Sequence, residues 1–340
     1  MSVRLNSSFD EADRVLARSV FGTDDPDIVR AMILEWTAKQ GFDRACVSGI
    51  EISVGAAVTV TLPDGSKAFV KVWPGTTDAR CLAAQVEVQA LMAARGFPAP
   101  TVLTKLSALG PGWAVSMEYK RDGVPTDTRV PGVRCAMAVG LARFVAEAAA
   151  CRDLQGLPRR PLPPEGMLWP KPHNALFDFE ATAQGAEWID EVACRALSAM
   201  RSVTSRTIVG HHDWSAKNMR MGTGGIAVLY DWDAVFLDHE TFILGSAAAH
   251  FPVTWELDVP ETPTTGEVAA FVQEYEQARG VAFTRAELAE VAAGATYARA
   301  YKARCEHAID PGAVRWRGSS RESLKANGPF TCSILRPHEA

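Results

Sequence analysis

Between Ile208 and Val235 the chain reads IVGHHDWSAKNMRMGTGGIAVLYDWDAV, and four polar side chains in it stand at spacings suited to chemistry. His211, Asp213 and Asn218 follow the pattern H-x-D-x-x-x-x-N, and Asp231 lies 18 residues beyond Asp213. Apolar Ile208 and Val209 lead into this loop. Met219 to Met221 then reads as a short strand, Gly222, Gly224 and Gly225 as a turn, and Ile226 to Tyr230 as a second apolar strand. Two strands joined by a glycine turn make a hairpin, which would hold Asp213, Asn218 and Asp231 close together despite their separation. Phosphoryl transfer requires such a group. One carboxylate orients the acceptor hydroxyl and takes its proton, while an Asn and a second carboxylate hold Mg2+ on the nucleotide phosphates.

The stretch resembles the catalytic loop and metal-binding Asp of the protein-kinase-like fold. It is most similar to the aminoglycoside phosphotransferase and choline kinase branch, where the loop typically runs HGDxHxxN and the metal Asp sits in a DWG-, DFG- or DWE-like segment, here Asp231-Trp232-Asp233. The resemblance implies ATP and Mg2+ as cofactors, Asp213 as catalytic base, Asn218 and Asp231 as metal ligands, and His211 as a brace for the loop. Asp233 fits either a second Mg2+ reached through water or a surface role. Two residues depart from the pattern: His212 replaces the common glycine, and Lys217 stands four residues after Asp213. Tyrosine-kinase loops (HRDLAARN) also carry a cation there, so Lys217 is a candidate to neutralise charge developing in transfer. A solvent-facing lysine is the alternative.

The nucleotide side must come from the first third of the chain. Arg44 to Trp73 reads as strands: ACVSGIEI, then AVTVTL, a Pro63-Asp64-Gly65 turn, and KAFVKVW, the last two pairing as a hairpin. Lys71 sits among valines and phenylalanine on the third strand, the family's V-x-K position, although an edge lysine facing water would look the same. Residues 77–96 are strongly helical and carry Glu87, the partner the resemblance implies for Lys71 at the α- and β-phosphates. The hairpin GIEISVGAAVTV lacks G-x-G-x-x-G, so Ser48, Gly49, Ser53 and Gly55 are either a backbone phosphate cradle or ordinary turn residues. After Gly110-Pro111-Gly112 a strand runs to Met117-Glu118-Tyr119. The resemblance makes Glu118 and Tyr119 the hinge whose backbone meets the adenine edge, and a plain core strand is the other reading.

Other elements follow from spacing. Residues 8–41 read as two short helices, with Asp25 before Pro26 a good start. TVLTKL reads as a strand, and Val130 to Asp153 as an Ala-rich helix. The proline-dense stretch Gly156 to Pro172 is long for a connector. In the resembling family this region shapes the acceptor pocket, which would put Trp169, His173, Asp178 and Glu180 near substrate unless they lie on a rigid surface loop. A helix begins near Ala186. Thr264 with Glu267 and Thr284 with Glu287 form capping boxes, the second helix reaching about Ala308, and the tail beyond should pack loosely. The expected fold is α+β, two-lobed and protein-kinase-like. Residues 1–118 form a nucleotide-binding lobe with a five-strand antiparallel sheet and one major helix. Residues 119–340 form a mostly helical lobe with the catalytic loop, metal site and acceptor pocket.

Bulk properties exclude several classes. At 340 residues and 47% hydrophobic the chain can bury a large core. Net charge is −5 and no basic run occurs, which argues against nucleic-acid and membrane partners. Seven scattered cysteines without C-x-x-C suit a reducing compartment, and neither an h-region nor a spanning apolar run appears. The expectation is a cytoplasmic protein. Glu240 to Glu290 holds nine acidic residues against Arg279 and Arg285; this excess leans toward an amine-bearing acceptor, with a solvated acidic surface as the bland reading. Tyr301, Arg304 and His307 share a helical face that would equally suit a polar or anionic substrate. A metal-dependent HD phosphohydrolase would be all-helical, whereas strands follow His211-His212-Asp213. A non-catalytic nucleotide-binding relative would lack Lys71, Asp213 or Asp231, and all three are present. The sequence therefore points to an ATP- and Mg-dependent kinase acting on a hydroxyl of a small molecule.

Overall fold

The computed structural model describes residues 9–160, 162–173, 176–314 and 317–336. Residue 8 of the expected first helix, Pro161 of the proline-dense stretch and the outermost ends of both expected lobes lie outside the described residues. The chain divides into two compact units, one reaching to Arg121 and including His173–Leu176, the other Asp122–Pro172 with everything from Phe177 on.

The first unit opens with helices α1 (Glu11–Phe21) and α2 (Pro26–Lys39). The Asp10 side chain accepts from the backbone of Asp13, that of Asp25 from Asp27 and Ile28, and Pro26 occupies the first turn of α2. Strands β1 (Cys46–Ile52), β2 (Ala56–Thr61) and β3 (Lys67–Trp73) lead to helix α3 (Ala79–Ala94), then β4 (Ser107–Leu109) and β5 (Gly112–Glu118). The sheet is antiparallel with order β1-β2-β3-β5-β4. Period-two alternation sorts its faces. Ala68, Val70 and Val72 join Val58 and Val60 in one core with Phe21, Ile33 and Trp36. On the other face Trp73 and Val115 pack with Leu82 of α3. TVLTKL does not form the expected strand and gives a single bridge, Val102 to Met117. The Gly110-Pro111 turn instead pairs the residues nearest to it, Leu109 with Gly112.

In the second unit the described elements are α4 (Pro131–Ala148), α5 (Glu187–Met200), β6 (Thr207–His211), β7 (Met219–Gly222), β8 (Gly225–Leu229), β9 (Val235–His239), α6 (Glu240–His250), α7 (Thr265–Arg279), α8 (Arg285–Ile309), α9 (Ser320–Asn327) and α10 (Cys332–Leu335). Both capping boxes form, Thr264 with Glu267 and Thr284 with Glu287. Helix α6 is buried on nearly every side, as its apolar composition requires. It crosses α8 at two glycines: a Cβ on Gly245 would lie 2.5 Å from the Val291 carbonyl oxygen, and one on Gly294 would lie 3.2 Å from the Phe242 Cα.

The tail corrects an expectation, because it packs. Arg321, Leu324, Phe330 and Leu335 are all buried. Arg299 of α8, itself buried, donates to the Gly328 carbonyl and sits 3.9 Å from the Phe330 ring. A few anchors spaced along a polar segment are enough to dock it. Among the described residues no helix is long and apolar enough to cross a membrane.

Candidate active site

The loop chemistry is assembled within the second unit. β6 pairs antiparallel with β9, setting His211 opposite Val235, so the chain leaving β6 runs beside the chain entering β9. His212 N–H donates to the Ala234 carbonyl at 2.8 Å, and Tyr230 N–H to the Asn218 carbonyl at 2.8 Å. The expected hairpin forms as β7 and β8, with Met219 opposite Leu229. It brings the Asn218 end of the loop to the residue before Asp231.

His211 is fully buried, and its Nε2 lies 3.1 Å from the Tyr230 carbonyl. A carbonyl only accepts, so Nε2 carries the proton. Burial pushes the ring's pKa down, which keeps it neutral. It therefore ties the start of the loop to the end of β8, where the brace was expected.

Asp213 Oδ2 lies 2.8 Å from Lys217 Nζ, and Ser215 Oγ donates to Oδ1 at 3.1 Å. Burial pushes the Asp213 pKa up, but the Lys217 charge and the bonds from Lys217 and Asn218 outweigh it and hold it at about 2. The carboxylate is ionised throughout the neutral range. Lys217 does not face bulk solvent. Its ammonium lies between Asp213 and the Trp255 ring, 4.9 Å from the ring centroid, and its backbone N–H donates to the Val253 carbonyl.

Asn218 closes a 3₁₀ turn, Ala216–Asn218. Its Nδ2 donates to the Asp213 carbonyl at 2.9 Å, so the amide oxygen is not used in that bond. Asp231 has φ +60° and is, with Arg44, one of two non-glycine positive-φ residues described. Aspartate tolerates this region better than most residues, and side chains held there cluster at functional sites. An amide oxygen and a carboxylate are hard donors suited to Mg2+. Among the described residues no group of three His, Cys, Asp or Glu is placed to hold a metal by itself. That fits Mg2+, which typically takes one or two carboxylates and completes its shell with water and substrate phosphates.

Sequence reasoning missed a second layer under this loop. His212 Nε2 lies 2.9 Å from Asp238 Oδ2 in an off-axis contact, and Arg160 Nη1 lies 3.6 Å from the same oxygen. All three side chains are at least half buried. Burial pushes the Asp238 pKa up, but His212 and Arg160 outweigh it and hold the group below its ordinary value. A carboxylate from β9 thus meets the histidine that replaces glycine. The available signal was the polar pair Asp238-His239 directly after the apolar Val235-Phe236-Leu237.

The nucleotide-side candidates lie in the first unit. Lys71 pairs with Val115 across β3 and β5, which puts it on the α3 face as required. Glu87 is a correction: it is exposed, and the polar residues on the buried side of α3 are Gln85 and Gln89. Helical spacing explains this, since Leu82, Gln85 and Gln89 share one side and Glu87 stands roughly opposite. Ser48 and Gly49 are not turn residues but lie within β1, where Ser48 Oγ donates to the Thr59 carbonyl at 3.2 Å. The actual turn is Ser53 to Gly55, closed by Ser53 N–H to the Gly55 carbonyl at 2.7 Å. Glu118 N–H is committed to the Thr101 carbonyl at 2.8 Å, leaving Tyr119 to carry the hinge expectation. The Tyr119 ring packs on Phe69 at 4.6 Å.

Of the acceptor-side candidates Trp169, Arg304 and His307 turn inward, whereas Asp178 is exposed. Trp169 Nε1 donates to Asp190 at 2.9 Å and its ring contacts Tyr297 and Tyr301. Asp178 accepts from the backbone of Glu180 and Ala181. Glu180 and His173 are exposed, and His173 groups with the first unit. Arg304, buried, holds the Phe179 carbonyl and Thr182, and His307 contacts the Gln184 carbonyl at 3.0 Å. Six of the nine acids of 240–290 are also paired with cations. Glu240 meets Arg206 and Arg279, Glu256 Arg220, Glu261 Lys302, Glu267 Arg129, Glu274 Arg134 and Glu276 Arg336.

The profile described as "Phosphotransferase enzyme family" (APH) matches residues 51–291. Among solved structures, an amicoumacin kinase complexed with AMP-PNP, Ca2+ and Ami is 12% identical with TM-score 0.63, over 90% of this chain and 97% of that one. A Plasmodium vivax ethanolamine kinase is 12% identical with TM-score 0.53, over 95% of each chain. A putative aminoglycoside phosphotransferase from Ralstonia eutropha is 14% identical with TM-score 0.52, over 90% and 94%. At these identities the likeness shows a shared fold. No curated protein matches the sequence.

Proposed function

The chain belongs to the phosphotransferase enzyme family, and from that premise we propose that it is an ATP- and Mg2+-dependent kinase phosphorylating a hydroxyl of a small molecule. The observation that carries the reading is the ionised Asp213, held by Lys217 and Ser215, on a loop that also presents Asn218 and leads, through one hairpin, to the left-handed Asp231. Asp213 accepts the hydroxyl proton as the acceptor oxygen bonds to the γ-phosphorus of ATP and the bond from that phosphorus to ADP, the leaving group, breaks. Its Lys217 contact supplies a positive charge where the transferred group gains negative charge. Asn218 and Asp231 would hold Mg2+, which supplies charge neutralisation on the nucleotide phosphates. Lys71 anchors phosphate from the first unit. His211, with its proton on Nε2, keeps the loop fixed to β8.

The acceptor is left open across hydroxyl-bearing small molecules. The acidic stretch gives little preference for an amine, because six of its nine carboxylates already have cationic partners. Kinases named for amicoumacin and ethanolamine share the fold, which supports a small-molecule acceptor. The same reading takes the enzyme as cytoplasmic and without a nucleic-acid partner, in keeping with free cysteines and a net charge of −5. The test is ADP release with Mg·ATP across aminoglycosides, peptide antibiotics, amino alcohols and sugars. One acceptor class should stimulate release, and Asp213→Asn should lower kcat by about 10²-fold or more with an unchanged melting temperature. No stimulated release together with no Mg-dependent ATP binding would end the proposal.

A further inference from the structure

A cavity of about 300 Å³ lies in the second unit, walled by α4, β6 and α7, and none of His211, Asp213, Lys217, Asn218 or Asp231 lines it. One side is apolar, formed by Ala142, Val145 and Ala146 of α4 with Ile208 of β6. The other carries three guanidinium groups, Arg152, Arg206 and Arg279, around a single carboxylate, Glu240. Glu240 is already saturated: Arg206 donates to Oε2, Tyr275 OH donates to Oε1 at 2.8 Å, and Arg279 Nε lies 3.1 Å from Oε1. Three positive charges against one negative leave an excess of two in the lining. Arg279 Nη1 is buried without a hydrogen-bond partner among the described residues. A buried donor left unspent is costly, and Arg279 is one of the residues lining the cavity.

We propose that this cavity is a second ligand site, taking a small amphipathic anion. A carboxylate or phosphate head meets Arg206 and Arg279, and a short apolar body lies along the alanine side of α4. The volume sits at the small end of ligand pockets, so the occupant is a short acid or phosphate monoester. Guanidinium is the cation best matched to such a head, through charge-assisted paired bonds. The inference stands apart from the kinase reading, since it requires neither nucleotide nor the catalytic loop.

Calorimetric titration of the full-length protein tests it, with butyl phosphate, butyrate, inorganic phosphate and butanol as probes. Butyl phosphate and butyrate should bind saturably at one site. Inorganic phosphate, lacking the body, should bind about tenfold more weakly, and butanol should not bind. Arg279→Met should weaken butyl phosphate by about tenfold or more, the cost of one charge-assisted bond. Because that change also removes a partner of Glu240, Ala146→Phe is the deciding variant. It fills the cavity from an exposed helix position and should abolish binding with an unchanged melting temperature. Undiminished binding in Ala146→Phe, equal affinity for inorganic and butyl phosphate, or no saturable binding in the parent would each overturn the proposal.

Discussion

At Lys217, three features converge on one ammonium group: a 2.8 Å contact with Asp213, an aromatic face at 4.9 Å, and a backbone anchored to the segment after α6. A solvated lysine would have none of these. If it stabilises the charge that develops in transfer, Lys217→Ala should lower kcat/KM by about 10²-fold while the folded state survives. Unchanged kcat/KM, measured with the acceptor that stimulates ADP release, would remove it from the mechanism. The order of the loop residues was legible because each is tied to its neighbours in sequence. Glu87 was not legible, because a single glutamate on a helix does not reveal its face until Leu82, Val88 and Met92 are known to be buried.

Strands and helices supply the next level of support. The β7–β8 hairpin could be read from its glycines and apolar runs, whereas the pairing of β6 with β9 could not, since it joins residues 24 to 32 apart and the glycine turn between them pairs β7 with β8 instead. Glu240, at the start of α6, shows how such pairing is stabilised. Burial pushes its pKa up, yet bonds from Arg206 and Tyr275 and the charge of Arg279 hold it below its ordinary 4.5. A carboxylate whose folded pKa is depressed contributes stability that is complete above its unfolded pKa and lost as pH falls through the folded one. Glu240→Gln should therefore destabilise the protein at pH 7 by roughly 3 kcal/mol; the Arg206 side chain is 58% exposed, which keeps the loss at the low end. The gap between parent and variant should narrow as pH drops below 4.5. Urea melts at neutral and acid pH decide this, and a gap independent of pH would show that the carboxylate charge contributes nothing.

Over the whole chain, the acids of 240–290 find their partners far away in sequence. Arg129 and Arg134 precede Glu267 and Glu274 by 138 and 140 residues, and counting charges within a window could not see them. The tail was misread for a similar reason, since its few apolar residues dock on α8 rather than on one another. Ending the chain after Gly318 would remove buried Leu324, Phe330 and Leu335. At roughly 1.5–3 kcal/mol for each, the loss approaches the net stability of a typical domain. The truncated protein should melt about 10 °C or more lower or fail to accumulate in soluble form. An unchanged melting temperature would show the tail to be a passenger.

The two bridges to α7, one from Arg129 just before α4 and one from Arg134 within it, have a mechanical consequence. Arg129 to Glu267 and Arg134 to Glu274, each 2.8 Å and largely shielded from solvent, are rungs set two helical turns apart along α7. Packed helices can change state by ratcheting one turn, about 5.4 Å, past each other. Such a step would break both rungs at once and leave four shielded charges unmatched. Helix α7 therefore cannot creep along α4 in small increments; it stays in register or leaves altogether.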